Sequence, residues 1–280
     1  MNFFDHIKKI PGPLSRRNNS IRIAYGPDSL QFGELNLPQN STNTKPYPVV
    51  ILIHGGFWRS AYNLSLMRKL ARNLAKRGIA AWNIEYRRVG DTGGGWPGTM
   101  QDVALATDYL RTMAPLYELD IQRVVPIGHS AGGHLAFWLA ARHRITKGDL
   151  QPQSPLALAG AVSLAGAVDL EQVAQLHLGN NAVIELLGCT PDQVPERYAT
   201  ASPAALLPLG VPQVLVHGTS DDRVPFEVSQ SYAHKATQAG DQATLLELPG
   251  ADHFVVIDPS SKAWALTIEE VQELLDRKGC

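Results

Sequence analysis

Ser130 stands in Gly128-His129-Ser130-Ala131-Gly132, a G-x-S-x-G sequence that follows the apolar pair Val124-Val125 and opens a helical pattern. Between a strand and a helix, this spacing makes a turn so tight that only tiny side chains fit beside the serine. The hydroxyl is then left exposed at the end of the strand. Such a hydroxyl becomes a nucleophile when a base takes its proton. The chain has nine histidines, so residue type alone selects none of them. Position selects His253, in Gly250-Ala251-Asp252-His253-Phe254, which follows the last strand-like segment. His54, His129 and His134 read as packed or hydrogen-bonded neighbours, and His143, His177 and His234 as surface or lid residues.

A base of this kind needs a carboxylate to hold its imidazole. Two adjacent aspartates compete in His217-Gly218-Thr219-Ser220-Asp221-Asp222-Arg223-Val224-Pro225. Asp221 stands where an H-G-x-x-D-x-x-V-P pattern puts the acid, which leaves Asp222 as a turn residue or a partner for Arg223. Asp252 is too close in sequence to orient His253 easily, and Asp169 is a remote third choice. The order Ser130, Asp221, His253 is one in which a nucleophile, its orienting acid and its base can follow successive strands of one sheet.

Attack on a carbonyl develops negative charge on its oxygen, which preorganised backbone N–H groups stabilise. His54-Gly55-Gly56-Phe57-Trp58 supplies the glycines that let a chain turn such groups inward. The N–H of Gly56 or Phe57 is expected to join that of Ala131. Trp96, His177 and Phe254 are expected to bind substrate, with Trp58 read as structural; plain core packing competes with this reading. No histidine–carboxylate cluster has metal-ligand spacing, so neither a metal nor another cofactor is expected. The glycine run Gly90-Asp91-Thr92-Gly93-Gly94-Gly95 lacks a following Gly-Lys-Ser/Thr, which argues against a phosphate loop.

The elements that must carry these residues alternate. Ile21–Tyr25 and Leu30–Leu37 flank a Gly-Pro-Asp-Ser turn and predict an antiparallel hairpin. Val49–Ile53 is a continuous β-branched run of the kind buried on both faces of a parallel sheet. Further strands are predicted over 79–86, 123–127, 159–168, 213–217 and 243–248. Helical spacing is read over 67–75, 103–110, 131–144, 226–239 and 263–276. Residues 1–20 read as an arm, 40–48 as a loop and 90–98 as a glycine-rich crossover. Alternating strands and helices predict an α/β fold, with a mostly parallel sheet flanked by helices on both faces. Residues 169–212 break the rhythm and are expected to form a small cap insertion in a single domain spanning 1–280.

Five runs together carry a resemblance: His54-Gly55-Gly56-Phe57-Trp58, the Gly-His-Ser-Ala-Gly-Gly elbow, Glu85-Tyr86-Arg87-Arg88, Gly94-Gly95-Trp96-Pro97 and Gly250-Ala251-Asp252-His253-Phe254. The chain resembles the kynurenine formamidase and acetyl/feruloyl-esterase branch of the α/β-hydrolases over about residues 30–275. The resemblance implies an α/β-hydrolase fold and cleavage of a small-molecule ester or aryl formamide without metal or cofactor. Bulk composition fits. Of 280 residues, 44% are hydrophobic and 18% charged, and the formal net charge is -1. A near-neutral chain has no global field for nucleic acid or anionic lipid, so neither partner is expected. Cys189 and Cys280 offer no disulfide framework, and residues 1–13 have no apolar core of the secretory kind. A cytoplasmic location is the expectation that follows. Nothing in the sequence speaks to oligomeric state.

Overall fold

In the computed structural model, residues 20–38 and 46–277 are described. The arm expected over 1–20 falls outside this range apart from Ser20, as does most of the loop expected over 40–48. The eight strands are β1 Ser20–Ala24, β2 Phe32–Asn36, β3 Tyr47–Ile53, β4 Ala80–Ile84, β5 Leu119–His129, β6 Ala161–Leu164, β7 Gln213–Gly218 and β8 Ala243–Leu248. They form one sheet in the order β1-β2-β4-β3-β5-β6-β7-β8. The β1–β2 and β2–β4 pairs are antiparallel and every later pair is parallel. The expected hairpin and the mostly parallel sheet are therefore both present.

Alternation along β3 divides the core. Val49, Ile51 and Ile53 point into one apolar cluster, and Val50 and Leu52 into another across the sheet. The second cluster is closed by α1 Arg68–Lys76 and α9 Lys262–Asp276, through Leu70, Leu74, Trp264 and Val271. The first is closed by α2 Gly98–Asp108, α3 Leu110–Tyr117, α4 Ala131–Ala141 and α8 Phe226–Gln238. Each large aliphatic side chain removed from water in this way contributes roughly 1.5–3 kcal/mol. The central helix α4 is buried along its whole length, so it sits inside the fold rather than on its surface.

Three elements depart from the sequence expectation. The glycine-rich crossover ends earlier than expected, because Gly98 already starts α2. Helix α3 was not anticipated; it contains Pro115 and ends where Glu118 takes a left-handed conformation, φ 54°. Strand β6 is only four residues long, against an expected 159–168. Ala165, at φ 49°, breaks it, and Ser130 N–H donates to Leu164 O at 2.8 Å while Ala167 N–H donates to Ser130 O at 3.3 Å. The chain leaves the sheet there to brace the turn that carries Ser130.

Residues 169–212 hold three short helices, α5 Leu170–Gln175, α6 Leu178–Leu187 and α7 Pro195–Ala201, and a 3-10 turn at Pro203–Leu206. Their apolar faces are not separate from the rest: Leu170, Val173, Leu186, Leu187 and Tyr198 belong to the same core cluster as α2 and α4.

Candidate active site

The turn between β5 and α4 places Ser130 in the left-handed region, at φ 56° and ψ -120°. A non-glycine residue pays conformational strain there, and such strain persists only where the surroundings over-determine it. The surroundings do so here. A Cβ on Gly128 would lie 1.8 Å from Gly132 O, and one on Gly132 would lie 2.1 Å from Ile53 O at the end of β3. No side chain fits at either position, as the G-x-S-x-G spacing predicts. Ser130 itself is buried.

His253 follows β8, in the loop that begins at Pro249. Its Nδ1–H donates to Asp221 Oδ2 at 2.7 Å. The other carboxylate oxygen, Oδ1, accepts the backbone N–H groups of Arg223 at 2.8 Å and Val224 at 2.9 Å. Burial alone pushes the Asp221 carboxyl up. The hydrogen bonds from His217 and His253, the charge of His253 and the Val224 N–H outweigh it, so the group sits well below the usual carboxylate range. Asp221 is an ionised acceptor, which fixes the proton of His253 on Nδ1 and leaves Nε2 free to take another. The elbow and the His253 loop adjoin, because His129 Nε2 lies 2.9 Å from the His253 carbonyl oxygen. Of the four aspartates considered, only Asp221 meets His253. Asp222 is exposed and faces Arg223 at 3.4 Å. Asp252 caps the N–H groups of Phe254 and Val255. Asp169 caps α5 and pairs with Lys235.

The loop after β3 runs beside the elbow. A Cβ on Gly55 would come 2.8 Å from Ser130 Cβ, and one on Gly56 would strike the Tyr62 side chain at 2.5 Å. Gly56 at φ 116°, Phe57 at φ 53° and Trp58 at φ 56° make a left-handed run that turns successive peptides. His54 Nδ1–H donates to Gly55 O at 2.8 Å. This holds that carbonyl to one side and directs the Gly56 N–H, which shares the same peptide plane, to the other. Among the described residues, no protein group takes the N–H of Gly56 or Phe57. Ala131 is the first residue of α4, so its N–H has no preceding helical turn to bond.

The three residues expected to bind substrate separate. Phe254 is exposed and stands beside the site, its ring centroid 5.3 Å from that of His253. Trp96 is drawn under residues 169–212: its N–H donates to Leu186 O at 2.8 Å and Arg197 lies over its ring at 5.7 Å. His177 is an exposed residue of the 169–212 segment, hydrogen-bonded to Asn181 at 2.8 Å. Residues 169–212 approach the β3 loop through another residue. Gly179, at φ 59°, lies so close to Phe57 that a Cβ there would be 2.3 Å from the ring.

Known proteins resemble this chain in sequence and in fold. The sequence profile of the BD-FAE family matches residues 34–236, which run from β2 through most of α8. The chain belongs to the BD-FAE family. It is 28% identical over 266 residues to the esterase LipC of Mycobacterium tuberculosis, covering 89% of this chain and 64% of that protein. It is also 28% identical to the "probable isoprenylcysteine alpha-carbonyl methylesterase ICME" of Oryza sativa, with 89% and 62% covered. This BD-FAE chain thus spans just under two thirds of the length of those relatives. Among solved structures, a truncated carbohydrate esterase from gut microbiota superposes with a TM-score of 0.76 at 22% identity, over 93% of this chain and 97% of that one. The butyrate-bound esterase of Thermogutta terrifontis gives 0.74 at 22% identity over the same shares. Those likenesses show an α/β-hydrolase fold.

Several polar residues of this BD-FAE chain support the site without being singled out by sequence. Glu85 accepts from His54 Nε2 at 2.9 Å and from Leu64 N–H at 3.1 Å, and Arg88 stands 3.2 Å away. Burial raises the Glu85 carboxyl, but the bonds and charges of His54, Leu64 and Arg88 bring it below its ordinary value. His134, one turn into α4, accepts from Trp58 Nε1–H at 3.2 Å and donates to Ala201 O at 2.9 Å, so it joins the β3 loop to the end of α7. His217 Nε2 faces Val224 O at 2.9 Å and Asp221 Oδ2 at 3.1 Å. The only sequence signals were the Glu85-Tyr86-Arg87-Arg88 run and the histidine that opens the H-G-x-x-D pattern. Among the described residues, no three His, Cys, Asp or Glu side chains converge as a metal site requires.

Proposed function

We propose that this chain is a serine hydrolase that cleaves carboxylic esters with a small acyl group. The observation that carries the reading is the 2.7 Å bond between Asp221 Oδ2 and His253 Nδ1, in a loop that touches the strained turn bearing Ser130. In this reading Ser130 Oγ attacks the ester carbonyl while His253 Nε2 takes its proton. Asp221 holds the imidazole and offsets the charge it gains. The carbonyl oxygen, now negative, receives the N–H of Ala131 and that of Gly56 or Phe57. His253 returns the proton to the departing alcohol. Water, activated by the neutral imidazole, then frees the acid from the acyl-enzyme. Residues 169–212 act as a cap on a single domain and shape the pocket, with Phe254 at its rim.

Two named relatives support an ester substrate: LipC is called an esterase, and the Oryza protein a methylesterase. Butyrate- and propionate-bound forms of the Thermogutta esterase favour a short acyl group, and its reaction with paraoxon fits a nucleophilic serine. The test is turnover of phenyl acetate, phenyl octanoate and N-formylkynurenine by wild type and Ser130→Ala. Phenyl acetate should be preferred to the octanoate, and Ser130→Ala should lower kcat by about 10⁶. Near-wild-type activity of Ser130→Ala would refute the serine mechanism. A kcat/KM for N-formylkynurenine that exceeds the acetate's by orders of magnitude would make the chain an arylformamidase instead.

A further inference from the structure

His129 lies between the first glycine of the elbow and Ser130, and its side chain is buried, with 2% of its surface exposed. It makes one hydrogen bond. Nε2 lies 2.9 Å from the backbone oxygen of His253, 124 residues away in sequence. A carbonyl can only accept, so Nε2 carries the ring's proton. Nδ1 has no partner, and it faces the backbone of Gly55, where a Cβ would stand only 3.1 Å from it. A buried acceptor left open is destabilising and calls for a reason. The ring also packs on the imidazole of His253, with centroids 4.6 Å apart, and on Phe254 at 5.8 Å.

We infer that His129 is a positioning residue that sets His253 at working distance from Ser130. The inference rests on the catalytic roles proposed above for those two residues. His129 and Ser130 are consecutive in one rigid turn, so a bond from the first to the backbone of His253 fixes where the second meets the imidazole. Among the described residues, no other hydrogen bond joins 252–254 to the elbow. Asp221 orients the far side of the His253 ring, through Nδ1, and His129 anchors the backbone from which that ring projects. Burial and the neighbouring His253 push the His129 imidazole down to about 3, so it keeps one tautomer while His253 gains and loses its proton. A base misplaced by 1 Å costs on the order of 10²-fold in rate.

Two substitutions separate the hydrogen bond from the packing. His129→Phe keeps a ring against His253 and removes the donor. His129→Gln keeps an amide N–H near the place of Nε2 and removes the ring. With phenyl acetate, His129→Phe should lower kcat by about 10- to 100-fold with KM within about twofold, and His129→Gln should recover most of the loss. Wild-type kcat in His129→Phe, or equal losses in both variants, would overturn the inference. Imidazole ¹⁵N NMR of the wild-type chain tests it without any variant. His129 should appear as the neutral Nε2–H tautomer from about pH 5 to 8, and an Nδ1–H tautomer or a titration in that range would refute it. Ser130→Ala serves as the control. If that variant stays active, the catalytic assignment falls; if it is inactive while His129→Phe is as fast as wild type, only the role of His129 falls.

Discussion

Asp221 and Asp222 are adjacent carboxylates in opposite surroundings. The Asp221 side chain is fully buried and bonded to His253, whereas the Asp222 side chain is 73% exposed and faces only Arg223. Asp221→Asn should therefore lower kcat by about 10⁴, because an amide in its place permits the wrong imidazole tautomer. Asp222→Asn should leave kcat within about twofold. Steady-state rates on phenyl acetate decide the ranking, and the reverse order would transfer the role. A second expectation concerns the buried histidines. Burial holds His129 down to about 3 and His134 down to about 4. In the unfolded chain both titrate near about 6.5. Below that pH the unfolded state binds protons the native state refuses, so stability is fully present above about 6.5 and falls as pH drops. The slope approaches about 1.4 kcal/mol per pH unit for each ring only below the unfolded value, so the pair should cost about 3 kcal/mol between pH 6.5 and 5. Asp221, held low, adds its own loss only below about pH 4. Urea midpoints at pH 7 and pH 5 measure the effect, and equal midpoints would contradict it.

At the scale of elements, three of the segments around the site are held together by close backbone approach. The elbow after β5 packs on the end of β3, where Gly132 leaves no room for a Cβ. Gly132→Ala must push backbone against backbone and should cost more than about 3 kcal/mol, or prevent folding. Gly148→Ala is the comparison. Its φ is positive, 87°, and nothing lies within 4 Å of a Cβ there, so only about 1 kcal/mol of strain is expected. Denaturant titration of the two variants separates steric exclusion from conformational strain, and similar losses would show that crowding at the elbow is not the cause. The third segment is the left-handed start of α6, where Gly179 lies on the Phe57 ring. Gly179→Ala should displace Phe57 and lower kcat/KM by about tenfold with the fold intact. Unchanged kcat/KM would mean that the contact has no bearing on the work of the β3 loop.

For the whole molecule, the question is whether residues 169–212 form a unit of their own. Their apolar side chains enter the same cluster as α2 and α4, and His134 and Trp138 both donate to carbonyls of α7, at 2.9 and 3.0 Å. Arg59 pairs with Glu185 across the outer edge at 2.7 Å, but both side chains are partly exposed, and such pairs contribute at most about 1 kcal/mol. The shared core, not the surface ion pair, attaches residues 169–212. Unfolding should be one transition, with far-ultraviolet circular dichroism and tryptophan fluorescence giving coincident curves. Two separated transitions would make 169–212 an independently melting unit.

The order of elements and the chemistry of the elbow were legible in the residues themselves. β-branched runs mark buried strands wherever they occur, and G-x-S-x-G is read by local sterics that need no distant partner. Ser130, His253 and the β3 loop follow from those local rules together with chain order. The pairing of His253 with Asp221 rather than Asp222 was favoured by motif and follows from direction, since neighbouring side chains diverge and only one can reach a given ring. What lay beyond the sequence depends on meetings across long separations. His129 pairs with a carbonyl 124 residues away, and His134 joins Trp58, 76 residues before it, to Ala201, 67 residues after it. Trp96 and His177 had the right composition for a pocket wall, but one is drawn under residues 169–212 and the other stands out on them. Periodicity reports which face of an element is apolar. Only the packed fold decides which buried polar atom that face brings within 3 Å of another.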